Sequence, residues 1–120
     1  MLAAVRRSRP QAIAIGLLHA YAAPGHERTL ARALRKLGVP VSTSSQLCPE
    51  YREYERLSTT VATAYRTPRM GAYVDAFRQR VAALGIPAAP YINQSNGGTL
   101  SVEEAVRLPV RTALSGPSAG

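Results

Sequence analysis

Positions 12–18 are apolar without interruption and rich in Ile and Leu, and the chain then meets the turn-forming Ala23-Pro24-Gly25. This pattern predicts a short buried strand over residues 11–18 closed by a turn. Leu30, Leu34 and Leu37 recur at helical spacing, with Glu27 in the first turn, Arg35 and Lys36 in the last and Gly38 just beyond. A helix is expected there, followed by a second strand over residues 39–44.

Pro49 opens a further helix, in which Tyr54, Leu57, Val61 and Ala64 make one apolar face while Arg52, Glu53, Glu55 and Arg56 occupy the others. Thr67-Pro68 is expected to break and restart it. In the restarted helix Met70, Tyr73, Val74, Phe77, Val81 and Leu84 share one stripe, and Gly85 followed by Pro87 stops it. Residues 90–94 predict a third strand leading into Ser95-Asn96-Gly97-Gly98-Thr99. Ser101 with Glu104 then forms a capping box for a short helix that Pro109 closes, and residues 110–114 predict a fourth strand. Strands alternating with helices indicate an α/β fold class with some parallel pairing.

Composition narrows the function classes. With 120 residues and 46% hydrophobic content, the chain is long enough to bury one core. The net charge of +8 comes from fourteen arginines and one lysine against seven acids, which opens the reading of a small basic module for nucleic acid or another polyanion. The arginines are nevertheless scattered. Only Arg6, Arg7 and Arg9 cluster, within residues 1–10, which read as a flexible basic N-terminus, and no aromatic residues interleave with them as a single-strand platform requires. The run 12–18 is too short for a secretory h-region or a bilayer span, so no membrane partner and a cytoplasmic location are expected. Cys48 is the single cysteine, which excludes an internal disulfide, and nothing near it in sequence marks it as a nucleophile.

Four short motifs carry candidate chemistry. Gly116-Pro117-Ser118-Ala119-Gly120 satisfies the G-x-S-x-G pattern of a hydrolase elbow, but that architecture needs an acid and a histidine after the serine, and His19 and His26 both precede it. Ser95 to Thr99 resembles the D-x-G-G-T phosphate hairpin of actin-like ATPases with serine in place of the acid. It offers amide and hydroxyl donors and a poor magnesium site; a plain Gly-Gly turn between strand and helix is the other reading. His19, His26 and Glu27 lack a further ligand for zinc, so no metal site is expected. Asn93-Gln94-Ser95 is a glycosylation sequon that needs a secretory route to matter.

Leu17-Leu18-His19-Ala20-Tyr21-Ala22 with Pro24-Gly25-His26-Glu27, Pro49-Glu50-Tyr51-Arg52-Glu53-Tyr54-Glu55-Arg56 with Ser58-Thr59-Thr60, and the stretches 94–98 and 115–120 together resemble the hydantoinase A and 5-oxoprolinase family. The resemblance covers residues 11–120. It implies a segment of an actin-like, ribonuclease-H-like ATPase fold, with residues 11–55 ending the N-terminal module and residues 56–120 starting the main hydantoinase module. Members use ATP to activate a carbonyl, opening cyclic amides such as 5-oxoproline or hydantoins, and relatives carboxylate ketones. ATP and Mg²⁺ are thus expected for a full-length member. The chain by itself is expected to bind neither and to be inactive, as an internal piece without the acidic hairpins. Its implied partners are a small cyclic amide and the remaining domains or a second hydantoinase subunit. Ser95, Asn96, Gly97, Gly98, Ser115, Gly116 and Pro117 are the residues the resemblance puts at the nucleotide or substrate cleft. Ser118 departs from the alanine or other small residue expected there.

Overall fold

Ile13, Ala14 and Ile15 pair in parallel with Val41, Ser42 and Thr43, and the Ile13 amide extends the ladder to the Pro40 carbonyl at 2.8 Å. These are strands β1 (Ile13–Ile15) and β2 (Val41–Thr43). Parallel neighbours cannot be joined by a tight turn, and helix α2 (Gly25–Leu34), continued by a 3-10 turn at Arg35–Leu37, makes the crossover. The computed structural model describes residues 1–112. They fall into two compact units, Met1–Tyr65 and a second that starts at Arg66.

In the first unit the predicted leucine spacing builds the core. Ile15, Ala31 and Leu34 are buried, and Leu30, Leu37 and Val41 pack against them. Gly38 takes the left-handed conformation, φ +74°, that ends the crossover and turns the chain into β2. Residues 1–10, expected to be a flexible tail, contain helix α1 (Leu2–Arg7), whose Val5 packs on the same core. After β2 comes a single turn, α3 (Ser44–Leu47).

Helix α4 (Glu53–Ala83) departs from expectation twice. It is continuous through Pro68, which lies inside it, where a break had been expected. A proline removes one N–H donor and is compatible with a helix whose remaining bonds hold it. The second departure is the buried face. Arg56, Thr60, Thr63, Ala64 and Thr67 are buried, whereas Tyr54, Leu57 and Val61, which the sequence predicts to share the apolar face with Ala64, are exposed. Threonine tolerates this because its hydroxyl can return to the helix: Thr60 Oγ1 donates to the Arg56 carbonyl at 2.7 Å. Further along, Val74 is buried as expected, but Tyr73 and Leu84 are exposed.

The second unit holds the rest of α4 and an antiparallel hairpin of β3 (Tyr91–Asn93) and β4 (Thr99–Ser101), with Ile92 opposite Leu100. Strand β4 was not foreseen. Helix α5 (Val102–Arg107) starts from the predicted capping box, in which the Glu104 amide donates to Ser101 Oγ at 3.3 Å and the Ser101 amide to Glu104 Oε2 at 3.2 Å. Leu100, Val102 and Ala105 are buried here. The expected strand over 110–114 is not formed in its described part: Pro109–Thr112 is a 3-10 turn. Its Arg111 carbonyl accepts from the Ser95 amide at 2.8 Å, so that backbone group belongs to the hairpin loop and not to a strand ladder. The fold is therefore mixed α/β, and among the described residues no helix is long and apolar enough to cross a membrane.

Candidate functional site

The hairpin loop from Ser95 to Thr99 is built by its own polar groups. Gln94 donates its amide to the Gly98 carbonyl at 2.7 Å, and Gly97 returns its amide to the Gln94 carbonyl at 3.2 Å. The Gly98 amide donates to Asn96 Oδ1 at 3.1 Å, an Asx-type closure, and Gln94 Nε2 donates to the Thr99 carbonyl at 3.2 Å. Gly97 sits at φ +86°, which a side chain would strain. Gly98 has a different reason to be glycine: a Cβ there would lie 3.2 Å from Gln94 Nε2 and 3.3 Å from Asn96 Oδ1.

Ser95, Asn96, Gly97 and Gly98 are thus brought together on one tip, exposed except for the half-buried Gly98. In this arrangement the amides of Ser95, Gly97 and Gly98 are engaged within the unit. The next carboxylates along the chain are also committed, Glu104 to the Ser101 cap and Glu103 to an ion pair with Arg78. The tip thus offers oxygen donors but no carboxylate, the group through which a protein usually holds magnesium. Among the described residues there is no group of three or more His, Cys, Asp or Glu that could hold a metal. Ser115, Gly116 and Pro117, with the rest of the 115–120 stretch, lie outside the described residues.

A second polar centre was not singled out from the sequence. It stands at the carboxyl ends of β1 and β2, where open parallel sheets usually present ligand sites. Glu27, on α2, has no exposed surface. Its Oε1 accepts from the Leu17 amide at 2.9 Å and the Ser44 hydroxyl at 2.6 Å, and its Oε2 from the Ser45 amide at 2.9 Å. Burial pushes the carboxyl up, but the Ser44 hydroxyl and the Ser45 and Leu17 amides outweigh it and hold the group below its ordinary value.

Arg56, 2% exposed, completes this centre. Its Nε–H donates to Ser44 Oγ at 3.2 Å, and its two terminal nitrogens donate to the carbonyls of Glu50 at 2.8 Å and Leu17 at 3.1 Å. The guanidinium also lies 5.7 Å from the centre of the Tyr21 ring, within cation–π range. A cavity of about 230 Å³ opens beside it, lined by Gly16, Leu17, Leu18, Glu53, Arg56 and Leu57. The signal that could have revealed Arg56 is its phase. It starts the row 56, 60, 63, 67, one face of a helix, in which the other residues are threonines.

His19 and His26 are both exposed, the former in the turn after β1 at φ +54° and the latter in the first turn of α2. Cys48 is half-buried and free. Arg6, Arg7 and Arg9 join Lys36, Leu2, Ala3 and Leu37 around an open groove of about 770 Å³.

Comparison with known proteins adds an independent line. The family model described as hydantoinase/oxoprolinase matches residues 56–120. Caprolactamase subunit alpha of Pseudomonas jessenii is 34% identical over 96% of the chain, and 5-oxoprolinase of Saccharomyces cerevisiae is 34% identical over 92%. The chain spans 17% of the former and 8% of the latter. The crystal structure of the ATP-dependent caprolactamase matches 78% of this chain and 14% of its own with a TM-score of 0.75 at 34% identity. A nucleotide-free acetone carboxylase structure matches 97% of this chain and 17% of its own with a TM-score of 0.67 at 26% identity.

Proposed function

The chain belongs to the hydantoinase/oxoprolinase family, and from that premise we propose that it is a segment of an ATP-dependent amidohydrolase that opens cyclic amides of the hydantoin or 5-oxoproline type. One observation carries the reading: two relatives named for lactam substrates each match more than nine tenths of the chain. Caprolactam and 5-oxoproline share an amide closed into a ring, so the substrate class is the cyclic amide and not one ring size. Carboxylation of a ketone is the neighbouring chemistry within the family, supported by the likeness to acetone carboxylase.

The finer reading follows the same line. We assign the segment to an actin-like ATPase fold, with residues 11–55 closing the N-terminal module and 56–120 opening the main one; the family match over 56–120 supports the latter. ATP and magnesium belong to the intact protein. No carboxylate stands in the Ser95–Thr99 tip, so the metal's ligands are assigned to other parts of such a protein. Ser95, Asn96, Gly97 and Gly98, with Ser115, Gly116 and Pro117, remain the proposed lining of the nucleotide or substrate cleft. The exposed hairpin tip and the glycine at φ +86° support a surface that approaches a ligand closely.

The test is ring opening of 5-oxoproline, hydantoin and caprolactam by an intact protein carrying this segment, with and without ATP. Phosphate release that matches ring opening is the expected result. Ring opening indifferent to ATP, or ATP-driven carboxylation of a ketone in its place, overturns the assignment.

The groove around Arg6, Arg7, Arg9 and Lys36 favours a second reading, a basic surface for nucleic acid or another polyanion. A gel shift with a short oligonucleotide decides it, since binding driven by phosphate contacts weakens steeply with salt. Absence of any shift at low salt removes this reading.

A further inference from the structure

Within the first unit, α4 is turned inside out with respect to its sequence. Its polar row, headed by Arg56 and Thr60, is buried, while Tyr54, Leu57, Val61 and Tyr65 form an apolar row on another face at intervals of three, four and four residues. Those four side chains are 81%, 47%, 51% and 68% exposed. The row is not confined to one helix. A Cβ on Gly16 would fall 2.5 Å from Leu57 Cδ1, so Leu57 lies directly over the backbone that leaves β1, and two residues on from Gly16 stands the exposed Leu18.

We infer that this face is where the body of a hydantoinase/oxoprolinase protein, outside the segment matched here, packs onto it. The inference rests on the family reading above but not on the reaction. Large apolar side chains aligned over three helical turns and continued onto a neighbouring loop are the mark of an interaction surface. The chain spans only 17% of caprolactamase subunit alpha, so about five-sixths of such a protein is available to cover it. A second copy of this chain is a poorer occupant. The row from Tyr54 to Tyr65 is about 17 Å long, and one helix face of that length falls short of the roughly 800 Å² per partner that a stable pair buries. The covering surface is apolar, matching Leu57 and Val61 at the middle of the row.

Thiol labelling tests this. In a Cys48→Ser background, Val61→Cys is introduced into the 120-residue chain and into a hybrid in which the chain replaces its matched segment of Pseudomonas jessenii caprolactamase subunit alpha. Maleimide labelling of the α4 peptide is followed by mass spectrometry. The expected result is fast labelling in the chain and labelling at least about ten-fold slower in the hybrid, with the two rates equal in urea. Equal native rates overturn the inference. If the hybrid does not fold, the cysteine goes at the aligned position of the unaltered subunit, and fast labelling there overturns it equally. Labelling of the chain that slows with its own concentration, together with dimers in sedimentation velocity, would give the face to a second copy and also overturn it. A hybrid that protects Val61→Cys yet opens no lactam with ATP defeats the proposed reaction and leaves this surface standing.

Discussion

Arg56 and Glu27, both buried, share the side chain of Ser44 as well as the backbone of Leu17: the Ser44 hydroxyl donates to Glu27 Oε1 at 2.6 Å and accepts the Arg56 Nε–H at 3.2 Å, while Leu17 gives its amide to Glu27 and its carbonyl to Arg56. One side chain thereby links two buried charges of opposite sign. Removing it leaves both short of a partner while deleting little volume. Ser44→Ala is expected to cost about 1–3 kcal/mol of folding stability, read as a lower urea midpoint. Thr29→Ala, which removes an exposed hydroxyl bonded within α2, should change it by no more than about 0.5 kcal/mol. Equal effects would show that the relay does not matter.

The same carboxylate sets an acid limit on stability. The Glu27 carboxyl is held below its ordinary value of 4.5, so the unfolded chain takes up its proton before the native one does. Its contribution is present above the unfolded value and is lost as pH falls through the lower native one. Urea midpoints measured from about pH 6 down to about pH 3 should therefore fall more steeply in the parent than in Glu27→Gln, which has no such proton to take up. Glu27→Gln starts lower near neutrality, because Arg56 is left as a buried charge without its counterpart. Parallel curves would contradict the assignment.

What could be read in the sequence, and what could not, divides along a physical line. Leu30, Leu34, Leu37 and Gly38 announced α2 and its end, and Ser101 with Glu104 announced the start of α5, because in each case the stabilising contacts lie within a few residues. The buried face of α4 was misjudged because it depends on Glu27 and Ser44, far away in sequence, which make a buried arginine tolerable. Strand β4 and the 3-10 turn at Pro109–Thr112 were missed for a similar reason: the pairing of Asn93 with Thr99 and the bond from Ser95 to Arg111 decide them. The hairpin tip was found through its glycines, but its internal bonds, which occupy its amides, follow from Gln94 and Asn96 side-chain positions that no pattern encodes.

Pro68 supplies a sharp test of the continuous helix. It has no N–H to offer the Ala64 carbonyl one turn back, a defect worth about 3 kcal/mol in a helix interior. Pro68→Ala should restore the bond and raise the urea midpoint, by a gain of at least about 1 kcal/mol after local relaxation. A loss of stability would mean that the helix uses the proline for its path.

At the hairpin tip, Asn96→Ala and Gly97→Val separate binding from folding. Asn96→Ala removes the acceptor for the Gly98 amide, and Gly97→Val forces a branched side chain into φ +86°, with strain of about 1–3 kcal/mol. In an intact enzyme carrying this segment, both are expected to lower lactam turnover, because each disturbs the loop geometry that the proposed cleft lining depends on. Asn96→Ala should do so with a thermal midpoint near that of the parent. Wild-type turnover in both variants would make the tip a connector and nothing more.

The parallel pairing of Ile13 with Val41 suggests an expected order of assembly. α2 carries the chain from β1 back to β2, and Arg56 lies further along the chain than either strand. We expect the crossover to form before Arg56 completes the charge centre, because Arg56 must reach Leu17 across 39 residues while Ile13 meets Val41 across 28. In stopped-flow urea jumps, Leu34→Ala should then slow refolding, whereas Arg56→Met should leave refolding nearly unchanged and hasten unfolding. With that outcome the polar centre is a latch fastened on a finished crossover, governing how long the unit stays closed and not how fast it is reached.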